Sequence, residues 1–160
     1  MPQEEQEEML LASPEGQSFE LRILGYQYPQ GATVEYDSNW LQVQGNVAHP
    51  RGNWTFRDPC LLTYEAARLA TWLESVAHGC SADSELSFRE PNIWFEQLPN
   101  PAGSRLRIYF ELESRPSWAP SKTVDEADCF VDVPTVALDL QRAASSLREQ
   151  LSRYPQRTRL

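Results

Sequence analysis

The chain has 160 residues, 41% of them apolar, and a formal net charge of −9. That length fits one domain with a sizeable core, and five Trp, six Tyr and six Phe argue for a packed interior rather than disorder. The acidic balance speaks against direct nucleic-acid binding, which needs clustered Lys and Arg. No apolar run approaches the roughly 20 residues of a membrane-spanning helix.

Residues 1–16 read as an acidic flexible tail. Glu4, Glu5, Glu7, Glu8 and Glu15 fall there without a single Lys or Arg, and Ser13-Pro14-Glu15-Gly16 closes it. An acidic start is the opposite of a signal peptide's basic n-region, so the expected location is the cytoplasm. Residues 17–155 read as a single α+β domain, and 156–160 as a basic C-terminal tail. Phe19, Leu21 and Ile23 alternate with Glu20 and Arg22, which predicts a strand with one buried face. After the turn at Pro29-Gln30-Gly31, Leu41, Val43, Gly45 and Val47 alternate with Gln42, Gln44 and Asn46 in a second strand. A third begins at Trp54 and is expected to stop at Asp58-Pro59. Short turns join the three, so an antiparallel meander is the simplest arrangement.

Leu62, Ala66, Leu69, Ala70, Leu73 and Ala77 recur at helical spacing, predicting an amphipathic helix over about 60–78 that ends at Gly79. Asp58 or Thr63 could cap it, with Pro59 tolerated in the first turn. Strand signals follow at Glu85–Glu90, Asn92–Leu98, Arg105–Glu113 and Asp128–Val133. Pro116 to Asp128 reads as a loop. A second helix is expected over about 136–152, with Leu140, Ala144, Leu147 and Leu151 on its apolar stripe. The class is α+β, with a mostly antiparallel sheet of about six to seven strands and two main helices.

Chemistry is sparse. Cys60, Cys80 and Cys129 are odd in number and widely spaced, which fits reduced thiols. His78 beside Cys80 could seed a metal site, yet no second pair of ligands completes it. No nucleophile elbow, phosphate loop or dinucleotide fingerprint is present. A Cys nucleophile would need Cys60 or Cys129 brought to His49, so a small Cys/His enzyme stays a distant alternative. No catalytic residue, metal or cofactor is assigned. Glu111 and Glu113 are expected on one strand face, about 7 Å apart by strand rise, as a solvated pair rather than a glycosidase pair. The tryptophans are more telling. Trp72 falls in the core or at its rim. Trp94 lies opposite Ile93 and Phe95, either in a second packed layer or partly exposed among acids. Trp118 sits in a Pro-rich loop, as binding element or hydrophobic plug.

Several short segments, in order, resemble the WapI-type immunity proteins. They are Leu24-Gly25-Tyr26-Gln27-Tyr28-Pro29, Tyr36-Asp37-Ser38-Asn39-Trp40-Leu41 and Trp54-Thr55-Phe56-Arg57-Asp58-Pro59-Cys60-Leu61-Leu62-Thr63. Leu86-Ser87-Phe88-Arg89-Glu90-Pro91-Asn92, Ile108-Tyr109-Phe110-Glu111-Leu112-Glu113 and Phe130-Val131-Asp132 continue the pattern, which covers roughly residues 18 to 155. The resemblance implies a cytoplasmic antidote that binds the C-terminal domain of a contact-delivered bacterial toxin, often an RNA-cleaving one. It supplies no catalytic residues and no list of contacts. An acidic protein suits a basic, phosphate-binding cleft. On that reading Asp37, Trp40, Glu96, Glu111, Glu113 and Trp118, acids and aromatics on expected outer faces or loops, are the candidate partner contacts. The main alternative is an adaptor domain with another protein partner.

Overall fold

The computed structural model describes residues 8–80, 83–99, 103–119 and 129–158. The predicted meander is present and gains a strand at its start. Strands β1 (Met9–Ala12), β2 (Ser18–Tyr26), β3 (Trp40–Ala48) and β4 (Trp54–Leu62) pair antiparallel in the order β1-β2-β3-β4. A four-residue helix, α1 (Glu35–Ser38), interrupts the β2–β3 connection. Helix α2 (Thr63–Ala77) follows β4 directly. Strands β5 (Glu85–Leu86), β6 (Ile93–Leu98), β7 (Arg105–Phe110) and β8 (Cys129–Pro134) form a second antiparallel sheet in chain order, and α3 (Ala137–Leu151) ends the regular structure. The α+β class holds, but eight strands divide between two four-stranded sheets instead of six or seven in one.

The sheets meet through aromatic rings. Phe19 lies 6.4 Å from Phe56, 6.3 Å from Phe95 and 5.4 Å from Phe110, so β2 and β4 touch β6 and β7 across the core. Gly45, paired with Phe56 on the neighbouring strand, makes room for that ring. A Cβ at Gly45 stands only 2.3 Å from two of its carbons. Helices α2 and α3 pack on each other, and Leu69, Leu73, Leu140 and Leu147 carry their buried faces into the same core.

Two corrections concern the chain's first half. Met9 and Leu11 are essentially fully buried, so the last part of the expected tail is an edge strand. Strand β4 does not stop at Asp58-Pro59 but continues to Leu62, and the helix starts at Thr63. Proline is tolerated because β4 is an edge strand, where one side of the backbone needs no donor. The register shifts between Leu41 and Val43 on β3, opposite this stretch, which accommodates the irregularity. Neither Asp58 nor Thr63 caps α2. The Leu62 N–H instead donates to the Glu65 carboxylate, 3.1 Å away.

The other edges are blunted as well, as native sheets require. Strand β5 has two residues. On β8 the Asp132 N–H donates to the Gln17 side-chain carbonyl at 2.9 Å. Near the start of β1, buried Gln150 of α3 accepts from the Ile23 N–H at 2.8 Å and donates to the Leu21 carbonyl.

Candidate partner-binding face

The face is built around Asn39, a buried residue between α1 and β3. Its Oδ1 accepts from the Thr63 hydroxyl and the Arg157 N–H, both at 2.8 Å. Its Nδ2 donates to the Glu35 and Arg157 carbonyls at 2.9 and 3.0 Å. One amide thus joins α1, the start of α2 and the C-terminal segment. Four residues cannot hold a helix unaided, so these bonds fix where α1 points. The C-terminal segment is itself anchored. The Arg157 guanidinium stacks 3.5 Å over the Tyr26 ring and donates to the Tyr28 and Pro29 carbonyls.

Helix α1 presents Tyr36 and Asp37. The Tyr36 ring meets Trp40 edge-on at 5.8 Å, and Trp40, only 9% exposed, forms the floor. Beside it stands Tyr64 in the first turn of α2, 40% exposed. The two tyrosines line one groove with Val34, Glu35, Asn39 and Gln156, and a second with Glu65, Arg68, Phe88 and Arg89. Burial pushes both phenols above the ordinary tyrosine value, and Glu65 adds to that while Arg89 opposes it. The Tyr36 hydroxyl is shielded from solvent and lacks a hydrogen-bond partner among the described residues, an arrangement that costs about 1–3 kcal/mol.

Glu65 ties this region to the second sheet, because its other carboxylate oxygen accepts from the Arg89 N–H at 2.8 Å. Next along that connection, buried Asn92 donates to both Asp58 and Glu113, each at 3.2 Å. Asp58 therefore lies on β4 beside a carboxylate from the turn that follows β7. Burial pushes its carboxyl above the usual range, and Glu113 and Glu90 push it further. Glu90 also acts on Tyr36, which links the two groups of acids electrostatically. Next to Glu113, Leu112 is 55% exposed with φ of 51°, a left-handed conformation that is unusual for a bulky residue.

The predicted contacts separate accordingly. Asp37 and Glu113 lie in this region. Trp40 lies beneath it, a correction to its expected exposure. Glu111 and Glu113 do not share a strand face: β7 ends at Phe110, and Leu112–Ser114 forms a 3₁₀ turn. Glu111 pairs with Arg115 at 3.5 Å, whereas Glu113 turns to Asn92. Glu96 is elsewhere, on the outer face of the second sheet, accepting from the Tyr109 hydroxyl at 3.3 Å. Trp94 stacks flat on Tyr109 there, with centroids 3.6 Å apart. Trp118, 37% exposed, packs within 5.6 Å of His49 and Trp54 with Arg51 over its ring. It plugs the corner beside the β3–β4 turn. Trp72 is buried and donates to the Asp83 carbonyl at 3.0 Å. Tyr64, Arg89, Asn39 and Asn92 were not singled out from sequence. Polar residues carry no periodic signal, and only the Tyr36–Leu41 and Leu86–Asn92 segments hinted at their neighbourhood.

The cysteine thiols are not activated by their surroundings. Burial drives the Cys60 thiol far above its ordinary value and raises Cys129, the reverse of an activated thiolate. Burial lowers His49, and Arg51 adds to the effect. Among the described residues no group of three His, Cys, Asp or Glu could hold a metal ion.

What decides the identity is the match of residues 9–155 to the immunity protein WapI-like family. The chain belongs to that family. Curated proteins and solved structures give no match. The WapI-like match covers every strand and helix, and it implies an immunity protein that acts against a toxin and binds it as a protein partner. No helix among the described residues is long and apolar enough to cross a membrane.

Proposed function

We propose that this WapI-like protein neutralises the C-terminal domain of a cognate, contact-delivered bacterial toxin by stoichiometric binding, without catalysis or cofactor. The observation that carries this reading is family membership over nearly the whole chain. The surface supports it. Asp37 and Glu90 act on Tyr36, which lines one groove with Tyr64 and Asn39 and packs on Trp40. Asp58 and Glu113 meet at Asn92 on the connection that Glu65 ties to α2. Rigid aromatic anchors within a complementary charge field are the usual ingredients of a tight interface. A net charge of −9 favours a basic partner, and an RNA-cleaving toxin carries such a surface for phosphate. Asp37 and Glu113 are the contacts proposed from sequence that belong to this face, with Trp40 supporting them. Glu111 sits at its edge, and Glu96 and Trp118 are assigned no central role.

An adaptor with a different partner would use similar surfaces, so the reading needs a functional assay. Producing the chain with the toxin domain encoded immediately upstream of its gene should rescue growth. The purified pair should form a one-to-one complex whose association rate falls as salt rises. Failure to associate at low salt would remove the antidote role.

A further inference from the structure

The grooves on either side of the two tyrosines contain a contact that points to the chemistry of the partner. Arg89 is exposed, and its guanidinium carbon lies 5.2 Å from the Tyr36 ring centre. Among the described residues it has no ion pair, although Asp37, Glu65 and Glu90 all act on the same tyrosine. Its neighbour Arg68 is committed differently, donating to the Ser87 carbonyl and stacking on Phe88. Arg89 is thus a cation resting on an aromatic surface, held by the weak attraction of a ring face.

Three further features mark that surface as a receptor. Tyr36 is braced from below by Trp40, and α1 is fixed through Asn39, so the ring is set before any partner arrives. Among the described residues the Tyr36 hydroxyl has no partner, and a buried polar group in that state calls for an explanation. Tyr64, 40% exposed, and Phe88 line the groove in which Arg89 lies, together with the Glu65 carboxylate. An apolar wall, an aromatic face and an acid match the aliphatic stem and charged head of a long basic side chain.

We propose that the Tyr36–Tyr64 groove receives an arginine or lysine side chain of the partner protein, and that Arg89 occupies the cation position in the free protein. The identity of that partner as the toxin rests on the reading above. The groove's preference for a basic side chain stands separately. Partner binding displaces Arg89 from Tyr36 and supplies N–H donors to the phenol oxygen. Arg89 therefore competes with the partner.

The test uses the full chain and the toxin domain encoded upstream of its gene, with affinities measured by calorimetry. Arg89→Gln is compared with Arg57→Gln, which removes the same charge from β4. Removing the competitor should tighten binding by about two- to fivefold beyond the Arg57→Gln change. Tyr64→Leu, which leaves the charge unchanged, should weaken binding by about tenfold or more. Tyr36→Phe removes only the unpartnered hydroxyl, so it should keep or raise Tm while lowering affinity a few-fold. Equal effects of the two arginine changes, with Tyr64→Leu and Tyr36→Phe binding like the parent, would overturn the proposal. A short peptide, acetyl-Gly-Arg-Gly-Arg-Gly-amide, gives a readout that does not depend on the toxin. Its titration should shift the amide resonances of Tyr36, Tyr64 and Arg89 first. Shifts spread evenly over acidic surfaces, or none, count against the groove. Peptide binding here without any toxin complex would keep the groove and reject the antidote role.

Discussion

Asn39→Ala probes how the face is held. The side chain makes four hydrogen bonds, to the Thr63 hydroxyl, the Arg157 N–H and the carbonyls of Glu35 and Arg157. A net contribution of about 1 kcal/mol each gives an upper value near 4 kcal/mol. Water can reach the Arg157 and Glu35 groups, which lie nearer the surface, so the expected loss is about 2–4 kcal/mol. For a domain of this size that lowers Tm by about 5–12 °C. The change should also be local. Amide exchange at Tyr36 to Asn39 and at Arg157 should accelerate in the variant well before that of β6 and β7, because the bonds at Asn39 join α1 to the C-terminal segment. Affinity for the toxin domain should fall in parallel. A Tm within 2 °C of the parent, or unchanged exchange at α1, would refute the idea that Asn39 positions this face.

Other substitutions test the packing and the electrostatics. Gly45→Ala drives a methyl into the Phe56 ring, which Phe19 and Phe110 hold from other sides. Overpacking of this kind costs about 1–3 kcal/mol, and Phe56→Leu in the same chain should restore part of the lost Tm. An unaltered melting curve for the single variant would show that the ring moves freely. At Asp58 the sign runs the other way. Its carboxyl is held above the ordinary value of 3.8 by burial and by Glu113 and Glu90, so the native state holds the proton more tightly than the unfolded chain. Stability is then lost as pH rises through the raised value. Asp58→Asn should melt higher than the parent at pH 7, with the difference fading below about pH 4, and it should bind a basic partner less well. A variant less stable than the parent at pH 7 contradicts this assignment.

The sequence made the regular parts of this fold legible where burial alternates cleanly. Leu106, Ile108 and Phe110 point inward and Arg107 outward, as period two requires. The apolar stripes of α2 and α3 were equally plain. The failures each have a physical cause. Strand β1 adjoins a run of glutamates, and Met9 and Leu11 are too short an alternation to stand out. Helix α1 spans one turn and exists through Asn39 rather than through propensity. Strand β4 runs through proline because its edge needs no donor. Trp40 and Leu41 are both buried at a point where the β3–β4 register slips, so strict alternation fails there and Trp40 is not on the outer face expected of it. Leu112 adopts a left-handed backbone after β7 has ended, which turns Glu113 away from Glu111. Asn39, Glu65 and Asn92 join separate elements through side-chain bonds between distant residues, and no local pattern encodes such links. The acids of the face were visible as composition. Their convergence with Tyr36 and Tyr64 required the fold.

The most direct test mixes the purified chain with the toxin domain encoded upstream of its gene, monitoring mass and the toxin's activity (RNA cleavage where it is a ribonuclease) as the ratio rises. A one-to-one complex at low salt is expected, with cleavage abolished at equivalence and weaker inhibition when Tyr64→Leu or Asp58→Asn replaces the parent. Cleavage that persists with the chain in excess, or two components that migrate separately at low salt, contradicts the antidote role.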